Sequence, residues 1–132
     1  MSFGSASTRP AAGAPCPCGA GTFGTCCGPL LDGVPAPSAE RLMRSRYTAF
    51  VVGDVRHLVR SWHPRTRPDD VAADDGTRWR GLVVEEAHEE GDAATVTFRA
   101  AWTARGDDGV LREHSRFVRR GGRWVYVDGD VG

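Results

Sequence analysis

The stretch ATVTFRAAWTARGDDGVLREHSRFVRRGGRWVYV, residues 94–127, decides the fold class. From Ala94 to Ala104 it alternates, with Val96, Phe98, Ala100 and Trp102 on one face and Thr95, Thr97, Arg99 and Thr103 on the other. A period of two is that of a strand with one buried face. Gly106-Asp107-Asp108-Gly109 reads as a turn into a second strand, Val110–Arg119, and Gly121-Gly122 as a hairpin turn into a third, Arg123–Val127. Upstream, Trp79–Ala87 supplies another strand around Leu82-Val83-Val84, after a Pro-, Asp- and Arg-rich loop at 65–77. Short turns between successive strands predict an antiparallel meander.

Two helices precede it. Ser38 stands at an N-cap position with Glu40 in the first turn, and Ala39–Val52 places Leu42, Met43, Arg46, Tyr47 and Phe50 on one face. Gly53 ends that helix and Asp54 caps the next, which carries Val55, Leu58, Val59 and Trp62 on one side and stops at His63-Pro64. Helices followed by a meander give an α+β class with helices on one face of the sheet.

Four cysteines, the only ones in the chain, lie at Cys16, Cys18, Cys26 and Cys27. Two close pairs around a loop with three glycines match the four soft donors of one structural zinc. Cys16 and Cys18 are too close for ordinary disulfide geometry, and a vicinal Cys26–Cys27 bridge would be strained. Four thiolates close the coordination shell, which assigns the metal to structure rather than catalysis. The chain reads as a disordered tail (1–15), a zinc knuckle (16–33) that needs its ion to fold, and an α+β domain (34–132).

The 132 residues suit one modest domain with this appendage. Lys and Arg total 17, all of them Arg, against 17 acidic residues; a neutral chain argues against nucleic acid or anionic lipid as partner. No apolar run approaches the roughly 20 residues of a membrane span, and residues 1–15 lack the apolar stretch of an export signal. A cytoplasmic protein with reduced cysteines is the expectation.

Cys16-Pro17-Cys18-Gly19 with Cys26-Cys27 resembles the SEC-C motif, the zinc-binding tail of the preprotein translocase ATPase SecA. Leu42–Phe50, Trp62-His63-Pro64, Glu113–Phe117 and Trp124–Gly129 together resemble the YchJ family. The resemblance runs from Cys16 to Gly129. It implies a SEC-C knuckle followed by a nuclear-transport-factor-2-like (NTF2-like) cone, in which helices cover the concave face of a curved sheet and leave a pocket at the open end. The lysines with which the SecA knuckle meets the chaperone SecB are absent: Thr22-Phe23-Gly24-Thr25 keeps only the aromatic residue.

Within such a cone, strand alternation turns Leu111, Glu113, Ser115 and Phe117 inward, together with Trp124, Tyr126 and Asp128 from the next strand. Arg46 sits in the apolar stripe of its helix, where an unpaired charge is too costly, so it is expected to pair with Glu113 or Asp128. Tyr47 and His63 complete the candidate pocket, whereas His57 and His114 are placed in solvent. No nucleophile motif or phosphate loop accompanies these residues, so no catalytic residue is assigned. Two readings follow. One is a zinc-knuckle adaptor that binds another protein through Phe23 and Gly28-Pro29-Leu30-Leu31, itself a monomer or weak homodimer because the open sheet face is polar. The other is a small-ligand binder, or a lyase- or isomerase-type enzyme, that uses the cone pocket. An open cavity beside Glu113 would favour the second, and a pocket filled by Trp62, Phe98, Trp102 and Trp124 the first.

Overall fold

A computed structural model describes residues 9–73 and 76–132. A 3-10 turn at Phe23–Thr25 leads into α1 (Cys27–Leu31), α2 (Ala39–Val52) and α3 (Val55–Arg60). Four strands follow: β1 (Arg78–Glu90), β2 (Ala93–Ala104), β3 (Asp107–Arg120) and β4 (Arg123–Val131). The strands form one antiparallel sheet in the order β1-β2-β3-β4. The expected α+β architecture is the one observed.

Caps delimit the helices. Ser38 Oγ accepts the Arg41 N–H at 3.1 Å, Gly53 closes α2 at φ 80°, and Asp54 accepts the His57 N–H at 3.0 Å. Two-residue turns join the strands. Gly121-Gly122 has φ of 55° and 81°, and Arg105-Gly106 has 53° and 85°, the paired left-handed geometry whose twist suits a tight hairpin. The second turn is therefore shorter than Gly106–Gly109, and Asp107, Asp108 and Gly109 belong to β3. Gly109 is there for packing: it faces Trp102, and a Cβ on it would lie 2.6 Å from that indole ring.

Two irregularities in β1, at Trp79/Gly81 and Val84/Glu86, bend the sheet around its helices. A third sits between β3 and β4. Phe117 pairs with Tyr126 but Arg116 pairs with Asp128, so Val127 is an extra residue. That bulge reverses the alternation beyond it. Tyr126 and Gly129 share the inner face, and Asp128 turns outward.

Helix α2 buries two faces, not one. Leu42, Met43, Arg46 and Tyr47 meet the sheet as expected, but Ser45, Thr48 and Ala49 are fully buried on the other side. On the sheet side the core is completed by Val96, Phe98, Ala100, Phe117 and Trp124. The expected tail also changes. Residues 1–8 lie outside the described residues, but 9–15 pair with the knuckle: the Phe23 and Gly24 N–H groups donate to Ala14 and Ala12, both at 2.9 Å, and Arg9 meets Asp32 at 2.9 Å. Small side chains permit this, since a Cβ on Gly24 would overlap Ala12.

His57, expected in solvent, is 3% exposed, while the apolar Val55 faces outward. Ser45 Oγ donates to the Leu42 carbonyl at 2.7 Å, so it accepts from His57 Nε2 at 2.8 Å; the Arg60 guanidinium donates to Nδ1 at 3.2 Å. Both ring nitrogens are committed to the neutral Nε2–H tautomer. A second proton would have to face Arg60. Burial, then the Arg60 charge, lowers the imidazole from 6.5 to about 4. Between those values the unfolded chain holds a proton that the folded one refuses, so stability falls as pH drops from 6.5 toward 4. The expected loss is on the order of 2–3 kcal/mol. Urea melts across this range should show a shallower pH slope for His57→Gln than for the parent; equal slopes would remove His57 as the cause.

Candidate metal centre and ligand pocket

The knuckle brings all four cysteines to one point. Their Sγ atoms lie within 4.8 Å of one another, and every one of these residues is buried. Cys18 and Cys26 sulfurs are 3.5 Å apart, and those of Cys26 and Cys27 are 4.0 Å apart. A disulfide would need about 2 Å. A tetrahedron with zinc–sulfur bonds of about 2.3 Å has edges of about 3.8 Å, which these distances bracket. The donors fit a metal of that kind.

Local structure explains the convergence. Cys16 N–H donates to the Gly21 carbonyl at 2.7 Å and Gly19 N–H to the Cys16 carbonyl at 2.9 Å, folding the first pair into a tight loop with Gly19 at φ 85°. The second pair starts α1. Thiols held this closely cannot all ionise without a cation. A hydrogen bond from Cys27 lowers Cys18 to about 5, burial raises Cys26 to about 11, and Cys27 rises further because its proton is held in the hydrogen bond to Cys18. A dication bound between them would let the remaining sulfurs shed their protons.

Helix α2 supplies the surroundings of the cage. Thr48 Oγ1 donates to Cys27 Sγ at 3.3 Å and lies 3.8 Å from Cys16 Sγ. Arg44 donates to the Cys18 carbonyl at 2.9 Å and Arg41 to the Cys26 carbonyl at 3.3 Å. Four thiolates around a dication would carry a net double negative charge, which these two guanidiniums are placed to offset. Sequence reading missed all three residues; the i, i+4 spacing of Arg44 and Thr48, away from the apolar stripe, was the available signal. The apolar knuckle residues offered as a contact surface are used internally: Phe23, Leu30 and Leu31 are buried. Arg60 fastens α1 from α3, donating to the Leu30 and Leu31 carbonyls at 3.1 and 2.5 Å.

On the opposite side of α2, the helices and the concave sheet enclose an open cavity of about 210 Å³. Five of the eight expected pocket residues line it: Arg46, Tyr47, Glu113, Ser115 and Tyr126. Trp62, Trp79, Phe50, Phe98 and Leu111 supply much of the wall. Trp102 and Trp124 take no part in lining it. Three candidates are elsewhere. Asp128 is turned outward by the Val127 bulge and pairs with Arg116 at 2.5 Å. His63 accepts the Arg65 N–H on Nδ1 at 3.0 Å, outside the cavity. Trp124 lines a separate crevice beside Leu30 and Arg123, with the Arg119 guanidinium 4.7 Å from its ring.

Arg46 makes neither of its expected ion pairs. Its guanidinium is held between the rings of Trp62 and Tyr126, at 4.8 and 4.6 Å, and donates to the Leu58 carbonyl at 3.0 Å and Ser61 Oγ at 2.6 Å. Aromatic faces and neutral acceptors replace the carboxylate; a desolvated cation–π contact is worth about 2 kcal/mol. Burial still lowers Arg46 to about 10, which leaves it cationic at neutral pH. Trp62 reaches this place because the chain after α3 runs along β4, with Tyr126 N–H donating to the Ser61 carbonyl and His63 N–H to the Tyr126 carbonyl, both at 2.8 Å.

Glu113 forms the polar floor. Its Oε2 accepts from Ser115 Oγ at 2.7 Å and from the Tyr126 hydroxyl at 2.8 Å. Burial first, and then Glu113, raises the Tyr126 phenol, so its proton stays in place. The carboxylate lies across Gly129, where a Cβ would sit 2.7 Å from Glu113 Cδ. Arg46 and Glu113 thus stand on either side of the Tyr126 ring system, one over its face and one at its hydroxyl.

Comparison with known proteins agrees with this architecture. The family model described as "YchJ, middle NTF2-like domain" matches residues 38–129. A UPF0225 protein of Cupriavidus metallidurans is 50% identical over 137 residues, covering 97% of this chain and 94% of its own; one from Streptomyces coelicolor is 51% identical over 122 residues, covering 88% and 94%. The solution structure of a SEC-C motif containing protein from Rhodopseudomonas palustris superposes with a TM-score of 0.81 at 33% identity, covering 89% of this chain and 98% of that one. A crystal structure of a SEC-C motif containing protein from Psychrobacter arcticus shares the fold, with a TM-score of 0.73 at 24% identity over 92% and 84% of the two chains. The chain belongs to the YchJ family of UPF0225 proteins, with a cysteine cluster leading into an NTF2-like cone.

Proposed function

We propose that this protein is a small-molecule-binding cone stabilised by a structural zinc ion in its knuckle. The observation that carries the binding role is the open cavity beside Glu113, walled by aromatic side chains and floored by a carboxylate that two hydroxyls hold in place. A filled pocket would have supported an adaptor instead. The adaptor reading also loses its surface, because Phe23, Leu30 and Leu31 are spent on internal packing. Zinc is supported by the four-sulfur geometry and by the resemblance to SEC-C proteins, and its shell leaves no position for substrate. Reduced thiolates suit a cytoplasmic setting.

Metal and cavity are tested separately. Elemental analysis of protein purified under reducing conditions should find one zinc per chain. A strong chelator should lower the thermal midpoint, because Thr48, Arg41 and Arg44 tie the cage to the central helix. Thr48→Val should weaken zinc retention about 10-fold, the scale of a lost partner to a ligand sulfur. Full zinc loading with no response of the midpoint to chelation would refute the stabilising role. For the cavity, 2-naphthol, an uncharged two-ring fluorescent probe, should bind one per chain and quench the tryptophans, Trp62 and Trp79 being in the wall. Leu111→Trp, which puts an indole into the cavity lining, should abolish binding while zinc content stays the same; undiminished binding would place the probe elsewhere.

A further inference from the structure

The cavity's wiring restricts what it accepts. Its charged groups are Arg46 and Glu113, which sum to zero. An anion entering this low-dielectric space meets the Glu113 carboxylate, and a cation meets Arg46. Neither charge has a counter-ion to offer freely. Both faces of Arg46 are covered by Trp62 and Tyr126, and part of its edge is engaged by Leu58 and Ser61.

Hydrogen-bond valence narrows the choice further. The hydroxyl protons of Ser115 and Tyr126 are both given to Glu113 Oε2, so neither hydroxyl has a proton left for a ligand. What remains at the floor is acceptor capacity: the spare lone pairs of those oxygens, and Glu113 Oε1, which has no hydrogen-bond partner among the described residues. The walls are aromatic. The volume, about 210 Å³, corresponds to about seven waters at about 30 Å³ each, enough for one or two fused rings.

We infer that the cavity binds an uncharged, one- or two-ring aromatic molecule that donates a single N–H or O–H to Glu113 Oε1. This rests on the ligand-pocket reading above and specifies its chemistry. The aromatic body takes the place of water against the ring walls, and the donor completes the valence of the carboxylate. A molecule of the same shape without the donor would desolvate Oε1 and give nothing in return.

Calorimetric or protein-observed NMR titration of the zinc-loaded chain with four probes tests the inference. Indole and benzofuran have nearly the same shape and differ in one N–H; benzoate and benzylammonium bring the two charges. The expected order is indole at least about 10-fold tighter than benzofuran, the scale of a hydrogen bond to a charged acceptor, with both ions weaker than indole. In Glu113→Leu the indole preference should vanish, with zinc content as the check of folding; should that variant not fold, the comparison in the parent protein still decides. Benzofuran binding as tightly as indole would overturn the donor requirement and leave the pocket standing. Tighter binding of either ion would overturn the neutrality requirement. Binding of no probe at all would remove the pocket reading and this inference together.

Discussion

Helix α2 has almost no surface of its own, and the rest of the molecule is arranged by that fact. One side carries Thr48 against a cysteine sulfur, with Arg41 and Arg44 clasping two carbonyls of the cysteine loop. The other carries Arg46 and Tyr47 into the cavity. A fourteen-residue helix has little stability alone, so packing on both flanks has to supply it. Knuckle and cone thereby share α2, each packing against its own flank of the helix. Arg60 adds a second tie, from α3 to the end of α1.

Much of this was legible in the amino-acid string because local chemistry marks it. Ser38, Gly53 and Asp54 delimit α2 and begin α3 through their own hydrogen bonds and φ preferences, and clean alternation fixes β2. The thiol cluster was equally readable, since few other arrangements suit four cysteines so spaced. What failed was whatever depends on a partner distant in sequence. The bulge at Val127 has no local mark, and it alone removes Asp128 from the pocket. His57 was expected in solvent, and Ser45 and Thr48 lie outside the apolar stripe; all three are buried because each finds a partner supplied by the fold. Arg46 was rightly judged unable to stand alone, but two aromatic rings and two neutral oxygens met its need where a carboxylate was expected.

The outer sheet face accounts for the balance of charge. There Glu85 bridges Arg99 and Arg112 and Arg116 spans Asp128 and Asp130, while on the other side of β3 Arg119, beside Trp124, meets Asp92. Exposed pairs of this sort contribute little stability apiece. Their value lies in cancellation across neighbouring strands, which keeps an arginine-rich surface from presenting a continuous cationic stripe.

Gly129 shows how narrow the tolerance at the cavity floor is. It lies across from Ser115, and the acidic side chain rests directly on its bare α-carbon. Any larger residue there evicts Glu113 from its seat, although position 129 itself lines no part of the cavity. Chemical identity at the floor is thus guarded by an atom that is missing, and a methyl group is enough to erase it.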